Sequence, residues 1–338
     1  MIRLMGFAFV LQASLAMAGI IPIQWTAIGP EVGDLCRTES GRLFIATSSG
    51  LLASDDSGLT WSATSINDKC FCVKQGPDGV LLVGAAAKTY PWPDRAYWST
   101  DGGATWNQTV NYSEISNSNL TYALARTPDG TIFAATVGGL LKLSPESTTW
   151  VDLTTNASIL SVFRARDGSL YYSDESLLSY DTYKSSDNGN SWSILPALHG
   201  RVVKEMVETP DERLFIAPSG SASFNGFYSS SDHGASWGFQ DIPSAYLQDM
   251  AVGTSGEVYM GGFVYVYRLD NGILDKAVLG NGNLGFTQAL VQVVEQAPDG
   301  HLLGICNSTL YRSDIAVPEP ATLSFLLVLV LASARRLR

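Results

Sequence analysis

The chain has 338 residues, with a formal net charge of −11, 46% hydrophobic residues and only 16% charged residues. No cluster of lysine and arginine occurs before the last four residues, which argues against a nucleic-acid-binding protein, and the acidity indicates mainly solubility. Low charge with plentiful glycine, serine and aromatic residues is typical of short strands joined by polar turns, so we predict an all-β fold.

The N-terminal segment has the three parts of a signal peptide. Arg3 supplies the positive charge, Leu4 to Leu15 form an apolar stretch, and Ala16-Met17-Ala18 is a small-x-small cleavage site. We therefore predict export, removal of residues 1–18 and a mature chain that starts near Gly19. The alternative is a buried N-terminal strand or helix.

Residues 19–316 repeat a tight turn followed by an apolar strand. The seven turns end at Gly41, Gly79, Gly130, Gly168, Glu212, Gly256 and Gly300. Their spacing averages about 43 residues, and a period of roughly 40–50 residues with four short strands per repeat is typical of a β-propeller. We predict seven blades of four antiparallel strands, here called A to D from the channel outward.

A second repeat, here called the box, has the pattern Ser-x-Asp-x-Gly-x-(Ser/Thr)-Trp. Its shared positions are Ser54, Asp56, Gly58 and Trp61; Ser99, Asp101, Gly103 and Trp106; Ser185, Asp187, Gly189 and Trp192; and Ser230, Asp232, Gly234 and Trp237. Reduced copies occupy residues 143–150, 267–272 and 311–314. Serine and aspartate can hydrogen-bond a turn's backbone and glycine permits positive φ, so we predict a structural role for the box carboxylates. The segment Asp55-Asp56-Ser57-Gly58 lacks the full ligand set of a calcium loop, and we predict neither a metal nor a cofactor.

The two ends of the repeat region predict how the ring closes. The seventh unit has no strand carrying a tryptophan after Asp314, whereas Ile23 to Ile28 carries Trp25 ahead of the first turn. We predict that this N-terminal strand completes blade seven and leaves no open sheet edge. The alternative is a strand that packs outside the ring.

The boxes resemble the Asp-box (BNR) repeats of the sialidase-like superfamily, which includes sialidases, xyloglucanases, sortilin-type receptors and photosystem II assembly factors. The resemblance implies a β-propeller and leaves the activity open. Sialidases bind a substrate carboxylate with three arginines, one of them in an Arg-Ile-Pro type motif, and that motif is absent here. Arg37, Arg126 and Arg164 occupy equivalent places in blades one, three and four and are the candidates for a comparable cluster.

One candidate binding region is a long loop. Because antiparallel strands alternate in direction, the A–B turns and boxes lie on one face of the disc, and the B–C loops and D–A links lie on the other. The B–C loop of blade two carries Tyr90, Trp92, Arg95 and Tyr97, which we predict to stack against a sugar or peptide. The alternative is a proline-stiffened surface loop.

The channel is the other candidate region. The positions seven residues before each turn's end are Asp34, Cys72, Ala123, Ser161, Glu205, Asp249 and Val293, and the residues that follow them are uniformly apolar. We predict that Asp34, Glu205 and Asp249 converge near the channel mouth, where a carboxylate pair is what glycoside hydrolysis requires. The alternative is solvated charge that lines the channel.

The C-terminal residues 317–338 contain Val317-Pro318-Glu319-Pro320, an uncharged run from Ala321 to Ala334, and a terminal arginine cluster. As a helix the run covers about 21 Å, short of the hydrocarbon core of roughly 30 Å. These parts resemble the PEP-CTERM sorting signal of Gram-negative bacteria. The resemblance implies transient insertion of residues 321–334 in the inner membrane, exosortase processing near Pro-Glu-Pro, and delivery to the cell surface or matrix. The alternative is a short permanent anchor.

The sequence therefore predicts an exported propeller that binds an extracellular glycan or protein without catalysis. A glycoside hydrolase acting on extracellular polysaccharide is the first alternative, and an assembly or scaffold factor is the second. The four cysteines, Cys36, Cys70, Cys72 and Cys306, can form disulfides in an exported protein or remain buried thiols.

Overall fold

The computed structural model describes residues 21–23, 25–88, 93–111, 120–154, 157–176, 179–219, 226–242, 246–262, 265–279 and 291–317. In this part of the chain the only helix is a single 3-10 turn, Pro196–Leu198, and the strands form seven sheets. The predicted all-β propeller of seven four-stranded blades is confirmed. The described ranges contain no apolar helix of membrane-spanning length. The predicted signal peptide, and the sorting signal with its hydrophobic helix beyond Val317, lie outside these ranges.

The first four blades follow one another along the chain. Two strands, β1 (Ile21–Ile23) and β2 (Trp25–Glu31), precede the first turn. Blade one contains β3 (Asp34–Arg37), β4 (Leu43–Thr47), β5 (Gly50–Ser54) and β6 (Ser62–Ala63). Blade two contains β7 (Lys69–Gln75), β8 (Leu81–Ala86), β9 (Asp94–Ser99) and β10 (Asn107–Gln108). Blade three contains β11 (Thr121–Arg126), β12 (Ile132–Thr136), β13 (Gly139–Leu143) and β14 (Val151–Asp152). Blade four contains β15 (Ile159–Arg164), β16 (Leu170–Ser176), β17 (Ser179–Ser185) and β18 (Ser193–Ile194).

The last three blades include both chain ends. Blade five contains β19 (Val202–Glu208), β20 (Leu214–Ser219), β21 (Gly226–Ser230) and β22 (Gly238–Asp241). Blade six contains β23 (Asp249–Val252), β24 (Val258–Gly261), β25 (Tyr265–Asp270) and β26 (Ile273–Leu279). Blade seven contains β27 (Val293–Gln296), β28 (His301–Cys306) and β29 (Thr309–Ala316), and β2 is its fourth strand.

The predicted ring closure is confirmed by the pairing of the two chain ends. Strand β2 runs antiparallel to β29, with Trp25 opposite Ser313. A further strand was not predicted: β1 pairs in parallel with β26, so the N-terminal segment adds a fifth strand to blade six before it completes blade seven. The chain therefore crosses from one blade to the next at the point where the ring closes.

The hydrophobic core lies between neighbouring blades. Phe44 and Leu51 of blade one pack in one cluster with Val73 and Leu81 of blade two, and the same arrangement recurs around the ring. Strand B residues such as those of β4 are therefore buried on both faces of the sheet. This explains why the B strands are continuously apolar in sequence instead of alternating with polar residues.

Each box forms the C–D connection and holds its own turn together. Ser99 Oγ donates to Asp101 Oδ1 (2.7 Å) and accepts from Gly103 N–H (2.9 Å), while Asp101 accepts from the Thr105 hydroxyl (2.6 Å). The same bonds recur in the other three boxes. These hydrogen bonds, chiefly those from the threonine or serine four residues on, lower the pKa of Asp56 and of Asp232 to about 2.

The boxes also join each blade to the one before it. Gly103 has a φ of 85°, and a Cβ placed there would lie 2.5 Å from Cζ of Phe44 in blade one. The Trp106 ring meets Phe44 edge-on, with ring centroids 6.0 Å apart. The glycines of the boxes are therefore needed both for the turn and for the close approach of the next blade.

Candidate functional site

Strand A of blades two to five contains a β-bulge at the same place. The strand register shifts between Cys70 and Cys72, between Thr121 and Ala123, between Ile159 and Ser161, and between Val203 and Glu205. The extra residues are Phe71, Tyr122, Leu160 and Lys204. A bulge re-aims the side chain of its extra residue, and all four residues line the central channel.

The bulged position has an equivalent in every blade. Counted eight residues before each turn's end, it is occupied by Gly33, Phe71, Tyr122, Leu160, Lys204, Gln248 and Gln292, here called the mouth ring. All seven residues line a cavity of about 710 Å³, a volume within the range of ligand sites. Because these residues start the A strands, the ring lies on the face that carries the D–A links, here called the mouth face. The opposite side, with the turns and boxes, is the box face.

The predicted channel carboxylates lie one residue further along the chain, and two of them point towards the next blade. Asp34 accepts hydrogen bonds from the backbone N–H groups of Leu35 (2.9 Å) and Val73 (2.8 Å). Asp249 accepts one from Val294 N–H (2.8 Å). Among the described strands none pairs with the inner edge of strand A, so its N–H groups need acceptors of this kind. Both carboxylates are buried.

Glu205, the third predicted carboxylate, reaches across the channel. Its Oε1 lies 3.0 Å from Nζ of Lys74, which belongs to blade two on the far side of the ring. The two side chains are 19% and 34% exposed, respectively, so the pair faces the cavity. Lys74 was not among the predicted site residues, because nothing in one repeat indicates what stands opposite it.

The four charged groups influence one another's protonation. Burial raises the pKa of Asp34 and of Glu205, and the nearby Lys74 charge opposes both shifts. Burial, reinforced by the charge of Glu205, raises the pKa of Asp249 well above its ordinary value. Burial alone would lower the pKa of Lys74, but the three carboxylates outweigh it and raise that pKa. Lys74 therefore stays protonated and is not a nucleophile.

The three predicted arginines lie at the box-face end of the channel. Arg164 and Arg126 share one carboxylate, with Nη1 atoms 3.2 Å and 3.9 Å from Oδ2 of Asp78. Arg37 instead pairs with Glu295 (Nε to Oε1, 3.4 Å) and donates to the backbone oxygen of Val252 (2.6 Å). Two of the three arginines are thus brought together, and all three are engaged by groups of the protein itself.

The predicted loop of blade two is described only in part, since Tyr90 and Trp92 lie outside the described residues. Arg95 and Tyr97 both contact Oδ2 of Asp68. Nη1 of Arg95 lies 3.4 Å from it, and the Tyr97 hydroxyl donates to it at 2.7 Å. Burial, together with the hydrogen bond to Asp68, raises the pKa of Tyr97 to about 12. The prediction that Arg95 and Tyr97 belong to the loop is wrong, because both lie in strand β9, and neither lines the channel.

The cysteines do not form disulfides, and all four are buried. Burial raises the pKa of Cys36 and of Cys70 to about 12 and that of Cys306 to about 11, which makes them poor nucleophiles. In the described ranges no group of three or more His, Cys, Asp and Glu side chains is placed to hold a metal ion.

No protein-family profile and no curated protein sequence matches the chain. Several solved structures, however, do resemble the chain. A streptogramin B lyase superposes with a TM-score of 0.66 at 14% identity, over 87% of this chain and 98% of that protein. YCF48 bound to a D1 peptide superposes with a TM-score of 0.59 at 14% identity, over 88% of this chain and 97% of that protein. The GH74 xyloglucanase from Xanthomonas campestris gives 0.60 at 15% identity, over 88% of this chain and 55% of that enzyme. At such identities the likeness shows the seven-bladed propeller fold, which these proteins use for different functions.

Proposed function

We propose that the protein is an exported propeller of the Asp-box superfamily that binds an extracellular glycan or protein at the mouth ring, without catalysis. The observation that carries this proposal is the set of bulges in four consecutive blades. Each bulge aims one extra side chain into the channel mouth, where Tyr122 and Lys204 are exposed. The four side chains differ in type and lie outside the core clusters, so packing between blades does not account for them.

The solved structures lend support of a general kind. YCF48 is bound to a D1 peptide in its structure, and a streptogramin B lyase and a xyloglucanase share the fold. A propeller of this fold is thus able to present a site for a peptide. In the present chain Arg95 and Tyr97, together with the predicted loop residues Tyr90 and Trp92, would extend the contact surface.

Export and surface display are part of the proposal. Residues 1–18 would direct export, and residues 317–338 would be a PEP-CTERM signal that holds the chain in the inner membrane until an exosortase processes it. Supporting this arrangement, Val317 N–H donates to the backbone oxygen of Gly300 (2.9 Å), so Val317 lies on the box face. A tail on the box face would leave the mouth ring turned away from the membrane.

The experiment is a comparison of variants on glycan and peptide arrays. The propeller is complete between Ile21 and Val317, so residues 19–317 can be prepared without the flanking segments. We expect Tyr122→Ala to lose binding, Trp92→Ala to retain most of it, and Phe239→Ala, which alters an exposed aromatic on the outer strand of blade five, to bind as wild type. Binding to neither array, or binding unaffected by Tyr122→Ala, would contradict the proposal.

A glycoside hydrolase is the second candidate, and one observation favours it. Asp249 is buried beside Glu205 with a strongly raised pKa, and one protonated and one ionised carboxylic acid are what such enzymes need. A hydrolysis assay on extracellular polysaccharides decides between the two. Hydrolysis by the wild type that is abolished in Glu205→Gln or Asp249→Asn would replace the binding proposal with the enzymatic one.

A further inference from the structure

The mouth ring has an apolar half and a polar half. Phe71, Tyr122 and Leu160 come from the adjacent blades two, three and four, and Leu120 lies beside them at the channel wall. Leu120 and Tyr122 are each 41% exposed, which is unusual for large apolar side chains inside a channel. Lys69 Nζ lies 5.3 Å from the centroid of the Phe71 ring and helps to hold it in place. This arc offers a flat apolar surface to a ligand.

The polar half faces this arc from blades five, six and seven. Lys204 Nζ donates to Oε1 of Gln248 (3.0 Å), and Gln248 Nε2 donates in turn to the backbone oxygen of Leu247 (3.2 Å). Lys204 keeps two more N–H donors, and the exposed Gln292 completes this side. The polar half of the mouth ring therefore presents several hydrogen-bond donors and acceptors, and none of its three residues is a carboxylate.

The charges at and below the ring are close to balance. Lys74 and Lys204 carry positive charge, which is offset by the carboxyl groups of Glu205, Asp34 and Asp249, whose pKa values are raised by burial. An anionic ligand group that entered the cavity would meet Glu205 and Asp34, and a cationic group would meet Lys74. The site therefore favours an uncharged ligand.

The inner strand edges disfavour an extended peptide. Strand addition would require free backbone groups along strand A. Asp34 and Asp249 already engage the N–H groups of Val73 and Val294, and Ser161 donates to the backbone oxygen of Val203 (2.6 Å). Recognition at the ring consequently depends on side chains. The seven blades enclose the cavity from the side, so a ligand enters it along the channel axis.

We propose that the mouth ring binds an uncharged sugar unit at the end of an extracellular glycan, an inference that rests on the binding function proposed above. The apolar face of the sugar ring would lie against Tyr122 and Phe71. Its hydroxyl groups would face Lys204, Gln248 and Gln292. This combination of one aromatic side and one side of amides and ammonium matches a pyranose, which has an apolar C–H face and a polar rim.

The test is a titration of residues 19–317 with sets of oligosaccharides that differ in charge. Uncharged oligosaccharides from cellulose, mannan, dextran and xyloglucan are compared with uronic-acid oligosaccharides, glucosamine oligosaccharides and unstructured peptides. We expect binding of at least one uncharged set and none of the charged sets. Tyr122→Ala should lower the affinity about tenfold or more, and Lys204→Met and Gln292→Ala by smaller factors. Phe239→Ala, an exposed aromatic elsewhere, should have no effect.

The outcomes separate this inference from the proposed function. Binding of only charged glycans or peptides, still lost in Tyr122→Ala, would overturn the uncharged sugar and leave the mouth ring as the binding site. Binding of uncharged sugars that Tyr122→Ala leaves unchanged and Trp92→Ala abolishes would overturn both the ring and its ligand. Circular dichroism and thermal unfolding of each variant verify that it is folded.

Discussion

On the box face the same hydrogen bonds occur in four blades, whereas six residue types occupy the seven positions of the mouth ring. Four of these positions share the same bulge, so the backbone by itself does not require Phe71 in one blade and Lys204 in another. Repetition on the box face serves the contacts between blades, because each blade makes the same contact with its neighbour. Variation at the mouth points to a requirement outside the fold, and a ligand is such a requirement.

The largest effect is expected for a box glycine. Gly103→Ala would place its Cβ against Phe44 at a φ of 85°, and we expect a loss of about 3 kcal/mol or more in the free energy of unfolding. Gly102→Ala is the matched control, because it has a φ of 69° with nothing within 4 Å of the added atom; we expect a loss of about 1 kcal/mol. Urea unfolding measures both, and equal losses would show that packing between blades is not the cause.

A smaller effect on stability is expected for the ion pair of Lys74 and Glu205 in the channel. Lys74→Met leaves Glu205 facing Asp34 and Asp249 without a cation, and we expect a loss of about 1–3 kcal/mol. The double variant Lys74→Met with Glu205→Gln should recover most of that loss, because it removes the unpaired charge as well. Urea unfolding of the wild type, the two single variants and the double variant gives a double-mutant cycle. Additive losses in the free energy of unfolding would show that Lys74 and Glu205 do not interact.

The two regions should respond oppositely to pH. Asp232 has a lowered pKa of about 2, below its unfolded value near 4, so its stabilisation is present above about pH 4 and is lost as the pH falls towards 2. Asp249 has a raised pKa, so the folded state binds its proton more tightly and stability falls as the pH rises above about 4. The free energy of unfolding of Asp249→Asn should therefore rise relative to that of the wild type as the pH increases above about 4.

The matched variant Asp232→Asn should show the reverse behaviour. Its deficit relative to wild type is expected to be largest near neutral pH and to vanish as the pH falls to about 2, where both forms are uncharged. Thermal unfolding across the pH range measures both variants. Parallel curves for wild type and Asp249→Asn would mean that this carboxyl group does not titrate differently on folding.

The smallest effect on stability is expected at the mouth ring itself. Tyr122 is 41% exposed and lies outside the core clusters, so Tyr122→Ala should change the free energy of unfolding by no more than about 0.5 kcal/mol. The same variant is expected to lose ligand binding, which would separate the role of the mouth ring from the structural role of the boxes. A large loss of stability would instead show that the bulges serve packing.

Much of the fold could be predicted because each repeat contains the turn residues and apolar strands that determine its local structure. The turn glycines fix the number of blades, the apolar residues after Asp34, Glu205 and Asp249 are buried as expected, and the N-terminal strand closes the ring. The parallel pairing of β1 with β26 could not be predicted, because this short strand contains no pattern that selects an edge.

The mouth ring was not predicted, and the reason is physical. Strict alternation along strand A places Glu205 at the channel and Lys204 on the other face, but the bulge brings both side chains to the cavity, as it does for Tyr122 and Ala123. Counting one residue further back would have revealed the variable ring in the sequence. The Lys74–Glu205 pair joins residues 131 positions apart and depends on the ring's diameter, which no single repeat encodes.

Paramagnetic broadening of ligand signals tests most directly which end of the channel binds. A nitroxide is attached at Asn67→Cys, an exposed position on the mouth face, or at Glu39→Cys on the box face. The native thiols are buried with raised pKa values and should not react. The account predicts broadening of uncharged oligosaccharide protons by the label at position 67 and none by the label at position 39. Broadening by the box-face label alone would contradict it.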